Sequence, residues 1–252
     1  MHHIVALSGG KDSTAMALRL AEVEPRNYTF VCTPTGDELP DMIDHWRRLG
    51  VLLGKPLTPV TAGHSLAGLI RHFDALPNNR MRWCTRMLKL EPYYRWLGEH
   101  LPATSYVGLR ADEDGREGMS FPAIENEITV RFPMREWGWG EREVWDYLDK
   151  RGVTIPARTD CARCYHQTLG EWWRLWHDHL EIYKTAEDEE ATVSKTRGRE
   201  HTFRNASRDT WPAGLKELRG EFEKGRIPPN TIHTDDLFQG GRRKTMCRVC
   251  SL

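Results

Sequence analysis

The sequence predicts an α/β protein, with a parallel β-sheet flanked by helices over residues 1–155 and a mainly helical C-terminal region over 156–252. Three observations predict it. Short apolar runs in the first half are continuous rather than alternating, as strands covered on both faces are. Amphipathic stretches at helical spacing separate them, and a β-α-β-α order is what a parallel sheet with crossover helices requires. Past Pro156 the character changes to a Trp-rich helical stretch, a polar connector and a basic tail.

Residues 4–7 (IVAL) form the first strand, and from Ser13 the apolar Met16, Ala17, Leu20 and Ala21 recur at helical spacing. Residues 28–32 (YTFVC) are β-branched and aromatic, hence a second strand. Pro40 suits the first turn of a helix, and Ile43, Trp46 and Leu49 fall on one face of it. A short strand at 57–60, a helix at 65–73 and strands at 106–109 and 128–132 follow. The helix at 141–150 turns Val144, Trp145 and Leu148 inward, a Trp-rich helix begins near Leu169, and another lies at 215–222. Trp172, Trp173 and Trp176 read as packing of the second domain onto the first. The acidic run at 187–190 and the basic stretch at 195–208 read as solvated surface. Right-handed crossovers put functional loops at the carboxyl edge of such a sheet. Here those are the Ser8 loop, the TGDELP loop at 35–40 and the GLRADED loop at 108–114.

Lys plus Arg and Asp plus Glu number 36 each in 252 residues, so no global field selects DNA, RNA or anionic lipid. No apolar stretch is long enough to cross a bilayer and no signal-peptide pattern precedes the first strand, so a cytoplasmic protein with no membrane partner is expected. Of six cysteines, Cys161 with Cys164 and Cys247 with Cys250 form two Cys-x-x-Cys pairs. In a reducing compartment that spacing reads as metal ligation or redox chemistry before disulfides. Four thiolates suit zinc or a [4Fe–4S] cluster, and spacing does not separate the two. Cys32, inside a strand, reads as core.

Residues 8–13, SGGKDS, join a strand to a helix. Gly10-Lys11 is followed by Asp12, which excludes a Walker A loop, and the Gly-x-Gly-x-x-Gly dinucleotide pattern is absent. What remains is an anion cradle. The helix start offers N–H groups and the positive end of its dipole, and Gly9 with Gly10 lets the main chain curl around an anion. Lys11 adds charge, Ser8 and Ser13 add hydroxyls, and Asp12 supplies oxygen for Mg2+. Asp37 and Glu38 orient a ribose or metal, or cap the following helix. Arg110, with Arg80, Arg82, Arg86 and Lys89, supplies candidate second clamps.

SGGKDS resembles the PP-loop of the N-type ATP pyrophosphatases. TGDELP (35–40), RWCTRMLKLEP (82–92), GLRADE (108–113) and FPMREWGWGEREVWDYL (132–148) are similar, in order, to motifs of the phosphoadenosine phosphosulfate (PAPS) reductase-like superfamily. The resemblance spans residues 4–164 and implies an adenine nucleotide α-hydrolase-like fold. It implies ATP, or PAPS or adenosine phosphosulfate, held with Mg2+ by Ser8, Gly9, Gly10, Lys11, Asp12, Ser13, Asp37, Gly108 and Arg110, with Lys11, Asp12 and Arg110 serving the chemistry. Members include sulfate adenylyltransferase small subunits, sulfonucleotide reductases, DNA phosphorothioation enzymes and proteins of phages and mobile elements.

The reductases usually carry an altered loop and a C-terminal Glu-Cys-Gly. This chain has the intact loop, and its tail reads RKTMCRVCSL. Both departures favour cleavage of ATP at the α-phosphorus, with pyrophosphate release, for adenylylation of or sulfur transfer to a small-molecule or nucleic-acid acceptor. The alternatives are a thiol-dependent PAPS or adenosine phosphosulfate reductase, and a nucleotide-binding subunit that acts with a protein partner in a larger modification or defence complex. Similarity to cluster-containing adenosine phosphosulfate reductases turns the metal reading toward iron. On that mapping Cys84, Cys161 and Cys164 are three ligands, and Cys247 or Cys250 is the fourth.

Overall fold

The computed structural model describes residues 1–113, 115–116, 126–205 and 209–229. Asp114, Cys247 and Cys250 lie outside them, and so does the segment that closes the basic stretch. Five parallel strands, β1 (His2–Ala6), β2 (Tyr28–Cys32), β3 (Thr58–Pro59), β4 (Ala103–Tyr106) and β5 (Ile128–Arg131), pair in the order β3-β2-β1-β4-β5. The chain runs outward from β1 to β3, then returns to the other side of β1 with β4. That reversal puts the topological switch point at the carboxyl ends of β1 and β4, where open α/β sheets bind ligands.

Both faces of β1 are covered, which explains its unbroken apolar run. Val5 and the following Leu7 pack with Met16 and Leu20 of α1 (Lys11–Val23), Leu49 of α2 (Pro40–Leu52), and Met134, Val144 and Leu148. Ile4 and Ala6 face Tyr93 and Leu97 on the opposite side. β4 was expected at 106–109 but lies at Ala103–Tyr106, because its Thr104 and Ser105 are polar and still buried. Ser105 is affordable there because its hydroxyl meets the Tyr93 hydroxyl at 2.9 Å.

Along the chain follow α3 (Leu66–Phe73), α4 (Trp83–Thr85), a π-helical turn at Arg86–Leu90, α5 (Glu91–Gly98), α6 (Pro133–Glu136) and α7 (Glu141–Lys150). On α2 the buried face is Met42, His45 and Leu49, while Ile43 is 41% exposed. The expected face is thus rotated, and a histidine occupies it for a reason given below.

Beyond these lie α8 (Leu169–Asp178), α9 (Leu180–Arg197) and α10 (Leu215–Glu223). The Trp-rich stretch is two helices broken at His179, not one. Packing divides the described chain into a sheet unit, Met1–His64 with Thr85–Asp160, and a helical unit, Ser65–Cys84 with residues 161–229. Within the helical unit Trp172 is fully buried against Tyr183 and Phe203. The acidic run is not a solvated face. Glu187 pairs with Arg219, Glu189 with Arg163, and Glu190 is buried, its two oxygens accepting from Phe203 N–H (2.8 Å) and Leu215 N–H (2.7 Å). Among the described residues no helix is long and apolar enough to cross a membrane.

Candidate active site

The SGGKDS loop leaves β1 at Leu7 and enters α1 at Lys11. Gly9 adopts φ +89°, and a Cβ there would lie 2.2 Å from Met42 Cε and 2.7 Å from Trp46 Nε1. Only glycine fits, sterically and conformationally. Gly10 caps α1 in an extended conformation without a side-chain bond, and its carbonyl accepts the first helical bond from Thr14 N–H at 3.0 Å. The N–H groups of Lys11, Asp12 and Ser13 therefore have no acceptor within their helix. Ser8 and Ser13 hydroxyls sit 3.0 Å apart and receive Gly10 N–H (3.3 Å) and Gly9 N–H (3.2 Å) respectively.

Lys11 is buried, and its Nζ donates to both Asp12 oxygens, at 3.2 and 3.0 Å. Glu141, at the start of α7, brings Oε1 to 3.7 Å from the same ammonium. Arg110, buried in the loop after β4, donates Nη1 to both Asp12 oxygens at 3.2 Å and Nε to Asp112 Oδ1 at 2.8 Å. Its own backbone is fixed by Glu113, which accepts Arg110 N–H at 3.0 Å. Burial opposes the charge on Arg110, but Asp12, Asp112 and Glu113 outweigh it and hold the guanidinium above its ordinary range. Burial likewise opposes ionisation of Asp112. The Glu141 N–H and Arg110 prevail and keep that carboxyl below its usual range. Gly108 lets this loop approach the α1 amino terminus, since a Cβ there would stand 3.2 Å from Ser13 N and Cα.

The expected residues Ser8, Gly9, Gly10, Lys11, Asp12, Ser13, Gly108 and Arg110 thus meet at one sheet edge. Asp37 is buried in the loop after β2 at that edge. Glu38 holds that loop together: its carboxylate accepts Thr35 N–H (2.7 Å), Thr35 Oγ1–H (2.6 Å), Gly36 N–H (3.0 Å) and Asp37 N–H (3.2 Å). Arg86 is exposed and pairs with Glu91. Sequence reasoning missed Glu141 and Asp112 as parts of the charge network, and missed His45 altogether. The signal for the first two was present, because both lie inside the GLRADE and GWGERE motifs.

Cys84, Cys161 and Cys164 fall in the helical unit. Cys161 and Cys164 close a turn, with Cys164 N–H on the Cys161 carbonyl at 3.2 Å. Burial pushes the Tyr165 hydroxyl up to about 12. Arg82 works the other way, and Cys84 and Cys164 add to the rise. Among the described residues no three His, Cys, Asp or Glu side chains are gathered to hold a metal. Cys32 is a core thiol, pushed up to about 12 by burial and by Glu38.

Uncharacterized protein MJ0066 of Methanocaldococcus jannaschii is 22% identical over 207 residues, covering 71% of this chain and 42% of the relative. The chain thus spans less than half the length of that curated relative. The chain is also similar to solved structures, among them the following two. One is a PAPS reductase from Candida auris in its phosphate complex, at 15% identity and TM-score 0.49, covering 62% of this chain and 75% of that one. The other is the U34-tRNA thiolase NcsA from Methanococcus maripaludis with its [4Fe–4S] cluster, at 17% identity and TM-score 0.48, covering 100% and 80%. A family model, the phosphoadenosine phosphosulfate reductase domain, matches residues 2–158, which take in all five strands and every loop of the cradle. The chain therefore belongs to the PAPS reductase domain family, a nucleotide-binding family of enzymes that share the α/β nucleotide α-hydrolase-like fold.

Proposed function

We propose that the chain binds the triphosphate of ATP at SGGKDS and cleaves it at the α-phosphorus, releasing pyrophosphate. The adenylyl group goes to an acceptor, as the end of the reaction or as activation for sulfur transfer. The observation that carries this reading is the convergence of two buried cations, Lys11 and Arg110, on Asp12 at a helix amino terminus. Phosphate oxygens that take over both cations would release the Asp12 carboxylate to hold Mg2+, a hard ion with a preference for oxygen. An acceptor oxygen then bonds to the α-phosphorus as the bond to pyrophosphate breaks, and the acceptor proton leaves to solvent. Negative charge grows on the departing pyrophosphate. On this reading the N–H groups at the start of α1, with Lys11 and Arg110 once they leave Asp12, meet that charge and favour the transition state over the ground state.

The thiols of Cys84, Cys161 and Cys164, with Cys247 or Cys250, have the soft donors of an iron–sulfur or zinc site. The described three are not gathered as they stand, so a [4Fe–4S] cluster or, alternatively, Zn2+ would be held by those residues once they are drawn together around it. When bound, a cluster would supply sulfur or electron chemistry.

The test is pyrophosphate release from Mg-ATP by the anaerobically purified full chain, offered candidate acceptors, against Lys11→Met. Release by the wild type and its loss in the variant is the expected result. The family match favours one second reading, a thiol-dependent sulfonucleotide reductase. Sulfite from PAPS or adenosine phosphosulfate, with no pyrophosphate from ATP, would replace the first reading by that one. ATP binding without turnover until a protein partner is added would identify a nucleotide-binding subunit instead.

A further inference from the structure

We infer that His45, seconded by Trp46, is a positioning residue that fixes which way the peptide groups of the SGGKDS loop point. This rests on the reading of that loop as a phosphate cradle. His45 Nε2 lies 3.0 Å from the Gly9 carbonyl oxygen, and Trp46 Nε1 donates to the Ser8 carbonyl oxygen at 2.9 Å. Two adjacent side chains of α2 thus hold two consecutive carbonyls.

A carbonyl only accepts, so His45 carries its proton on Nε2. Burial, with Arg48 adding, pushes the imidazole down to about 4 against the pull of the Gly9 carbonyl, so the ring is neutral near pH 7. The trans peptide unit sets the rest. C=O and N–H lie in one peptide plane and point in opposite directions across the C–N bond. Turning the Ser8 and Gly9 carbonyls toward α2 therefore turns the Gly9 and Gly10 N–H groups away from it. There they meet the Ser13 and Ser8 hydroxyls, on the side where Lys11 opens the helix.

Glycine makes such an anchor necessary. Gly9 and Gly10 lack a Cβ, so the peptide between them rotates at little steric cost. A flip would aim the Gly9 carbonyl, a negative dipole end, at the phosphates. Gly9 has already given up its side chain to let Met42 and Trp46 approach. The same close approach brings the His45 donor within bonding distance. This accounts for a histidine on the buried face of α2, where helical spacing alone would call for an apolar residue.

The experiment measures binding of Mg-ATP and, separately, of adenosine by calorimetry, with thermal melting of each protein. The proteins are wild type, His45→Leu, His45→Gln and Trp46→Phe. His45→Leu removes the donor at similar volume, His45→Gln restores an N–H, and Trp46→Phe keeps an aromatic ring without the indole N–H. The expected result is a loss of about tenfold or more in ATP affinity for His45→Leu, a smaller loss for Trp46→Phe, unchanged adenosine affinity, and recovery in His45→Gln. Equal ATP affinity in all four proteins overturns the inference. So does a parallel loss of ATP and adenosine, which marks a purely structural role. Should His45→Leu fail to fold, the ATP-to-adenosine ratios of Trp46→Phe and His45→Gln decide. A wild type that binds adenosine but gains nothing from the triphosphate overturns the cradle reading itself, and this inference with it.

Discussion

Replacing Arg110 by Met removes two contacts with Asp12 at 3.2 Å and one with Asp112 at 2.8 Å while keeping most of the buried stem. The two arms differ in worth, because the Asp12 side chain is 16% exposed and that of Asp112 46%. At an effective dielectric constant of ~20 a unit pair 3.2 Å apart attracts by about 5 kcal/mol, most of which the desolvation of both ions cancels. Removing one partner of a buried pair costs about 3–5 kcal/mol. Solvent screening of the Asp112 arm brings the expectation here to about 2–3 kcal/mol. For a chain of this size that is a fall in Tm of about 4–12 °C. ATP affinity should drop by about 10–100-fold, the worth of one charge-assisted contact to phosphate. Melting and calorimetric titration of wild type, Arg110→Met, Asp12→Asn and the double variant give the full cycle. In the Asp12→Asn background the Arg110 substitution should cost less, because the carboxylate that Arg110 shares with Lys11 has already lost its charge. Arg110→Met melting within about 1 °C of wild type and binding ATP within about twofold would refute the network as drawn.

Three further outcomes follow from the geometry. Gly9→Ala combines left-handed strain of about 1–2 kcal/mol with a steric clash on Met42 and Trp46, so it should melt lower and lose ATP binding. Gly54→Ala is the control, since φ is +72° there but nothing lies within 4 Å, and only the strain should appear in its melting curve. Glu190 should make the helical unit pH-sensitive. Burial lifts its carboxyl from the ordinary 4.5 to about 8, with Glu217 and Glu187 adding and the Phe203 and Leu215 N–H groups opposing. A raised pKa means the folded state binds the proton more tightly. The associated stability is therefore complete below about 4.5 and lost as pH rises through about 8. Denaturant titrations at pH 5 and 9 should show wild type losing about 3–5 kcal/mol more than Glu190→Gln, and parallel pH profiles would dismiss the idea. Among the thiols, Cys32→Ala should leave bound iron or zinc unchanged and Cys161→Ala should abolish it, as elemental analysis of anaerobic preparations would read. A metal lost with Cys32 would contradict its place in the core.

What the sequence made legible is what depends on local chemistry. The strand at residues 4–7 and the loop that follows declare themselves, because two glycines, a lysine and two hydroxyls after a buried strand have little use in packing. Helix α7 is found to the residue, its amphipathic spacing uninterrupted and its start held by Glu143 accepting the Gly140 N–H at 2.9 Å. β4 was misplaced because buried polar residues such as Ser105 carry no apolar signal, and their partner, Tyr93, comes from a different element. The face of α2 was misread for the same reason: His45 is polar in isolation and buried only because Gly9 offers it a carbonyl. The acidic run at 187–190 looked like solvent-facing charge, since its cations, Arg163 and Arg219, lie more than twenty residues away in sequence. Spacing revealed donors, and tertiary partners decided their use.

The pairing of Lys11 and Arg110 with Asp12 bears on what this loop selects. Two buried cations beside N–H groups that have no acceptor in their own helix would be costly with no anion present, and Asp12, one residue along, is the internal anion that meets the cost. On the proposed reading, ligand binding is then an exchange of ion pairs rather than their creation. A monoanion is a poor competitor. It brings one charge to two cations and leaves the displaced Asp12 carboxylate uncompensated in a poorly solvated place. A polyphosphate brings several charges, and with it comes Mg2+, to which the freed carboxylate can turn. The loop thus discriminates by the number of charges a ligand delivers as well as by its shape. That preference is already written into Lys11-Asp12, a cation and its internal counter-ion placed side by side where the helix begins.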